Sequence, residues 1–190
     1  MRLPVAKVVL PSCLKGVENG RIPSNLLTGC GIGKFQMVEP AARAMRALVA
    51  AAEERGIQVR ATSTYRTHAQ QVALFCSRYT IKVLQGRPTK RWQGQIWYQK
   101  PNTAVAAVPG TSNHGLGLAV DFAEERDGRP PVESGGDRFI RWLIRNAATY
   151  GYSAELQSEP WHWRYVAGDN IPQAVLDFEL QQDSRPKVEP

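Results

Sequence analysis

The stretch Thr111-Ser112-Asn113-His114-Gly115-Leu116-Gly117-Leu118-Ala119-Val120-Asp121-Phe122 decides how the chain is read. His114 is one of three histidines, and Asp121 is the first acidic residue after Glu54, because residues 55–120 hold no Asp or Glu. On a helix a spacing of seven would put both on one face, but Gly115, Gly117 and Val120 disfavour a helix. In an unbroken strand the odd separation would put them on opposite faces. A turn at Gly115-Leu116 resets the parity before a strand from Gly117 to Phe122. Gly117, Ala119 and Asp121 then share one face, while Leu118, Val120 and Phe122 face the core. The first face reads small, small, carboxylate, which leaves room above it for an ion and a substrate backbone.

Glu159-Pro160-Trp161-His162-Trp163-Arg164-Tyr165 obeys the same logic. As a strand it sends Trp161, Trp163 and Tyr165 to one side and His162 and Arg164 to the other. Pro160 breaks the pleat, so Glu159 can approach the centre that His162 faces without binding it. Two His and one Asp are a donor set suited to one Zn²⁺ ion, with a fourth position left for water. Water on zinc drops from a pKa of about 15.7 to about 7. A carboxylate beside it can carry the proton to a leaving amine. His114, Asp121 and His162 are therefore the candidate metal ligands and Glu159 the candidate general base. Arg66, at the exit of a β-prone run, is the candidate cation for the developing oxyanion.

Outward from these stretches the chain reads as α+β: a small central antiparallel sheet flanked by three to four helices. Residues 1–36 are rich in Gly, Pro, Ser and Asn and read as an irregular segment packed on the domain. A helix starts at Pro40, buries Met45, Leu48, Val49 and Ala52, and stops at Gly56. Ile57 to Tyr65 reads as a strand. Thr67-His68-Ala69-Gln70 is a capping box that opens a helix to about Tyr79, burying Val72, Phe75 and Cys76. Residues 81–110 read as loop and hairpin, with a short strand at Gln95–Tyr98 and a low-polarity loop from Ala104. Gly128 to Gly136 reads as an exposed loop. Asp137 is placed to cap a helix to Tyr150, with Phe139, Trp142, Leu143 and Ala147 inward. A last helix runs from Ile171-Pro172 to about Leu180. The expected units are thus 1–36, a catalytic domain at 37–182, and a disordered tail at 183–190.

The chain has 190 residues, 43% of them hydrophobic and 22% charged, the profile of one globular domain. No apolar run is long enough to span a membrane. The first eleven residues, interrupted by Lys7 and bounded by Pro4 and Pro11, make a poor secretory signal. The three cysteines form no disulfide framework or zinc knuckle; Cys13 and Cys30 are free to pair, but nothing demands it. The net charge is +7, and residues 55–120 carry nine Lys or Arg, which suits a polyanionic partner such as nucleic acid or an anionic wall.

At these residues the chain resembles a known family. Ser112-x-His114-x-x-Gly117-x-Ala119-x-Asp121, followed by Glu159-x-x-His162, is similar to the signature of the D-alanyl-D-alanine carboxypeptidase family of zinc peptidases. That family includes vancomycin-resistance D,D-carboxypeptidases and dipeptidases, and phage endolysins that cut L-Ala–D-Glu bonds. Ser63-Thr64-Tyr65-Arg66-Thr67-His68-Ala69-Gln70 matches its upstream element. The motifs stand in family order over residues 63–165. The resemblance implies zinc on His114, Asp121 and His162, Glu159 as catalytic base, Arg66 on substrate or intermediate, and Ser112 supporting the site or touching substrate. Gln70 is a helix cap first and a candidate substrate contact second.

The implied function is hydrolysis of a peptide bond in the peptidoglycan stem peptide, by a monomer. The bond is either the D,D-carboxypeptidase or the L-Ala–D-Glu endopeptidase one. With no signal recognised, the expectation is synthesis in the cytoplasm and action on the wall after release, as a phage lysin acts, or secretion by another route. The alternative is a catalytically silent, zinc-stabilised wall- or nucleic-acid-binding protein. An inactive relative would be expected to lose the base or the arginine, and both are present. No nucleic-acid reader motif is found. His68 reads as a solvent-facing first-turn residue, and at least one of Trp161 and Trp163 as core.

Overall fold

A proline in the first turn and a glycine past the end bracket the main helix. The computed structural model describes residues 2–123 and 138–184. The loop expected at 128–136, the Asp137 cap and the tail beyond 184 lie outside the described residues. In chain order β1 (Leu27–Gly29) and β2 (Gln36–Val38) form an antiparallel pair and lead into α1 (Glu39–Glu53). Pro40 costs α1 no hydrogen bond at its start, and Gly56 takes φ +66° after its end. Met45, Leu48, Val49 and Ala52 are buried as expected, and so are Ala41, Ala42, Ala44 and Ala47, which let neighbouring backbones approach closely.

There follow β3 (Arg60–Ser63), α2 (His68–Arg78), β4 (Tyr79–Thr80), β5 (Thr89–Trp92), β6 (Gln95–Gln99) and β7 (Ala119–Ala123). Then come α3 (Arg138–Asn146), β8 (Tyr152–Ala154), β9 (His162–Tyr165) and α4 (Gln173–Asp183). The central sheet is antiparallel in the order β3-β7-β9-β8. One face sends Val120, Phe122, Trp163 and Tyr165 into a single core with the buried residues of α1, Phe139 and Leu143 of α3, and Val175 of α4. The architecture is the expected α+β one. The strand expected over 57–65 is only four residues long, because Ile57 and Val59 are drawn into the core ahead of it. Helix α4 takes in Asp183, the first residue of the expected tail.

The β4-β6-β5 sheet and α2 enclose a second, smaller core. Gln93 and Gly94, with φ +50° and +73°, make the tight β5–β6 turn. Phe75 stacks on Tyr79 at 4.6 Å and meets Trp92 and Trp97 edge-on at 5.4 Å. Val72 and Cys76, expected inside, are only half-buried, because Gln71 takes the inward position beside Phe75. Cys13, Cys30 and Cys76 are all free thiols.

The N-terminal segment clamps the central loop. Gly20 N–H donates to Gly115 O and Gly20 O accepts from His68 N–H, both at 2.7 Å. Asn19 Nδ2 donates to Ser112 O at 2.7 Å, and Tyr65 Oη accepts from Ile22 N–H at 3.1 Å. Gly20 has φ +80°, and a Cβ there would stand 2.5 Å from His68 N. Gly16 has a similar φ of +76° with open space around it. Gly20→Ala should therefore lower stability by about 1–3 kcal/mol, and by more than Gly16→Ala, in thermal unfolding. Equal losses would contradict the close approach.

Candidate metal centre

The β7–β9 ladder pairs Asp121 directly with His162, and the β3–β7 ladder pairs Ser63 with Asp121. A bulge at Thr62 shifts the β3 register, so Ser63, Asp121 and His162 form one row across three strands. His114 reaches this row from a 3-10 turn, Asn113–Leu116, that ends at Gly117 with φ +63°. The turn supplies the parity reset expected from the sequence, but Gly117 belongs to it and the strand expected from Gly117 begins at Ala119. Its closeness to the chain explains the glycines: a Cβ on Gly115 would stand 2.9 Å from Gly20 N.

Asp121 bridges the two histidines. Its Oδ1 lies 2.8 Å from His162 Nδ1 and its Oδ2 lies 3.1 Å from His114 Nε2. Each imidazole is held from behind. His114 Nδ1 lies 2.7 Å from Thr64 O, which only accepts, so Nδ1 carries the hydrogen and Nε2 is left facing Asp121. Ser63 Oγ lies 3.3 Å from the same Nδ1. His162 Nε2 lies 2.8 Å from Glu155 Oε2, which leaves Nδ1 as the nitrogen turned toward Asp121.

Burial opposes ionisation of Asp121, but hydrogen bonds from both histidines and their charges hold its carboxyl well below the usual range. Burial likewise opposes charge on His162. Hydrogen bonds to Asp121 and Glu155 outweigh it and push the imidazole up to about 9. Glu155, opposed by burial but favoured by His162 and Arg164, is held down to about 2.

The donor set fits a single ion. One donor atom from each of His114, Asp121 and His162 lies within 4.8 Å of the others. Both Asp121–histidine contacts are shorter than twice a zinc bond of about 2.0–2.2 Å. Two imidazole nitrogens and a carboxylate, with the outer ring nitrogens already donating, are the arrangement a catalytic zinc site requires.

The other candidates sit at varied places. Arg66 is half-buried, with Nη2 on Ser63 Oγ at 2.7 Å and Nη1 on Gln71 Oε1 at 3.0 Å, and its N–H donates to His114 O at 3.0 Å. Burial lowers its pKa, nearby Asp121 opposes that, and it forms no ion pair among the described residues. Glu159 is half-buried on the turn before β9, where its carbonyl accepts from His162 N–H at 2.9 Å. Its carboxylate makes no hydrogen bond among the described residues and is not joined to the cluster. Ser112 is buried, and its carbonyl caps the 3-10 turn at Gly115 N–H. Gln70 is exposed, with its Oε1 accepting from Thr67 N–H at 2.9 Å as half of the capping box. His68 starts α2 and stands outside the metal cluster. Trp163 is core, and Trp161 is half-buried. Sequence reasoning missed Glu155 and Gln71. A polar residue on the inward face of α2 was the available signal for Gln71.

Residues 34–168 match the family described as VanY: D-alanyl-D-alanine carboxypeptidase. A Bacillus subtilis (strain 168) protein named as a carboxypeptidase, YodJ, is 29% identical over 160 residues, 78% of this chain and 53% of its own. An Enterococcus faecalis (strain ATCC 700802 / V583) D-alanyl-D-alanine carboxypeptidase is 32% identical over 129 residues, 61% of this chain and 43% of its own. The chain thus spans about half the length of these curated relatives. The crystal structure of a mutant vancomycin-resistance D,D-pentapeptidase VanY, in complex with Zn(II), superposes with a TM-score of 0.51 at 23% identity. The match covers 76% of this chain and 82% of that one, and the likeness is one of fold.

The raised His162 pKa makes a linkage prediction for the protein stripped of metal. A group charged more readily when folded adds stability that is full below its unfolded pKa, about 6.5. That stability is lost as pH rises through the folded value of about 9. Thermal unfolding in chelator should show Asp121→Asn less stable than wild type at pH 6, with the gap closing toward pH 10. A gap that widens with pH would contradict the proton shared at His162.

Proposed function

The chain belongs to the VanY family of D-alanyl-D-alanine carboxypeptidases, and we propose that it is a zinc peptidase that removes the terminal D-alanine from a peptidoglycan stem peptide. The observation that carries this reading is the convergence of His114, Asp121 and His162, with the outer nitrogen of each histidine already anchored. A structural neighbour with Zn(II) and a relative named as a D-alanyl-D-alanine carboxypeptidase support the metal and the bond. Zinc held by His114, Asp121 and His162 would supply a Lewis acid for water and for the scissile carbonyl.

The rest falls to the chain's own residues. Glu159 takes the proton from water and returns it to the departing amine. Glu155 is the poorer candidate for that work. Its two oxygens already accept from His162, Arg164 and Asn113, and its carboxyl is held near 2. Glu159 keeps its carboxylate clear of such bonds. Arg66 has two of its five side-chain N–H groups fixed by Ser63 and Gln71, which aims the guanidinium and leaves the others for an anion. That anion is the terminal carboxylate or the developing oxyanion. Its place of action, on this reading, is the cell wall.

The test is digestion of a stem pentapeptide by zinc-loaded protein, with products identified by mass spectrometry. Loss of one D-alanine is expected from wild type. Glu159→Gln should keep zinc and lose activity by about 10²–10⁴-fold. Arg66→Ala should lose about 10²–10³-fold in kcat, with Arg66→Lys recovering part of it. A cut between L-Ala and D-Glu would replace this reading with an endopeptidase of the lysin type. No product with zinc bound would replace it with a silent binding protein.

A further inference from the structure

Glu155 lies in the segment that leaves β8, seven residues ahead of His162, and it belongs to neither motif. Yet it is the most heavily engaged carboxylate beside the centre. Its Oε2 lies 2.8 Å from His162 Nε2, and its Oε1 accepts from Arg164 Nη1 at 3.0 Å and from Asn113 Nδ2 at 2.5 Å. We infer that Glu155 is a positioning residue: it holds the His162 ring so that Nδ1 faces the metal position and locks that ring to the turn carrying His114. This rests on the zinc reading above.

The geometry excludes other roles for it. The His162 ring stands between Glu155 and Asp121, one carboxylate on each ring nitrogen. Glu155 therefore cannot ligate an ion shared with Asp121 unless that ring is displaced. Both of its oxygens already accept from His162, Arg164 and Asn113, which makes it a poor acceptor for a proton from water. A half-turn of the ring about χ2 would put Cδ2 where Nδ1 stands and remove a ligand atom. It would also strip Glu155 of its hydrogen bond, so Glu155 penalises the flip.

Glu155 is itself held at two points. Arg164 is buried and pairs with Ala119 across the β7–β9 ladder, a small neighbour that leaves room for the guanidinium. Asn113 immediately precedes His114 on the 3-10 turn. One carboxylate thus couples β9 to the turn, and through them two of the three proposed ligands. Outer carboxylates on metal-bound histidines are worth about 10–100-fold in metal affinity.

The experiment is zinc affinity by chelator competition for wild type, Glu155→Ala and Glu155→Gln, with circular dichroism of the stripped proteins as the folding control. Glu155→Ala should bind zinc about 10–100-fold more weakly. Glu155→Gln should recover much of that, because its amide oxygen still accepts from Nε2–H. If Glu155→Ala does not fold, Asn113→Ala takes its place, with a smaller loss expected. Wild-type zinc affinity in every folded variant would overturn the positioning role, and such affinity without turnover would instead make Glu155 the base. No zinc bound by wild type would overturn the metal reading and this role with it.

Discussion

Asp121 stands opposite His162 in an antiparallel ladder, and the rest of the structure depends on that register. Directly paired residues share a face of the sheet with Cβ atoms about 4.5–5.5 Å apart. Their strand neighbours point the other way, where Val120, Phe122, Trp163 and Tyr165 are sealed against α1, α3 and α4. The core therefore aims Asp121 and His162 to the opposite face. A slip of one residue would turn a carboxylate and an imidazole into the apolar interior and expose a tryptophan, so hydrophobic burial penalises it heavily. Burial and chemistry are two faces of one pairing.

Ahead of that row, residues 55–120 carry nine Lys or Arg and no acid to pair with them. Several cations of the acid-free span end on backbone carbonyls: Arg78 on Val105, Arg87 on Gln99 and Lys100, Lys90 on Ala106, and Lys100 on Cys76. They close the long loop that runs from the β4-β6-β5 sheet to the turn that carries His114. The basic stretch thus has a structural duty inside the protein. Its unevenness is less a sign of a polyanionic partner than composition alone implies.

The grouping of His114, Asp121 and His162 was legible because it obeys local rules. The glycines between His114 and Asp121 demand a turn, and alternation before and after it settles which residues share a face. The capping box at Thr67 to Gln70 and the bracket of Pro40 and Gly56 were legible for the same reason. What stayed hidden depends on distant chain segments. Glu155 carries no spacing signal, since its partners are Arg164 on β9 and Asn113 on a remote turn. The clamp of Asn19 and Gly20 on the central loop lies in a segment without periodicity. The bulge at Thr62 shifts the register of a strand whose sequence still alternates. Cys76 sits at an apolar helical position, yet the buried polar Gln71 shows that α2 turns a different face inward.

The central claim is that two imidazoles and one carboxylate hold a single zinc ion. X-ray absorption at the zinc edge of protein loaded with one equivalent tests it most directly. The account predicts a first shell of nitrogen and oxygen only, at about 2.0–2.1 Å, with the multiple scattering of two imidazoles. A sulfur shell near 2.3 Å from any of the three thiols, or an oxygen shell without imidazole, would contradict it.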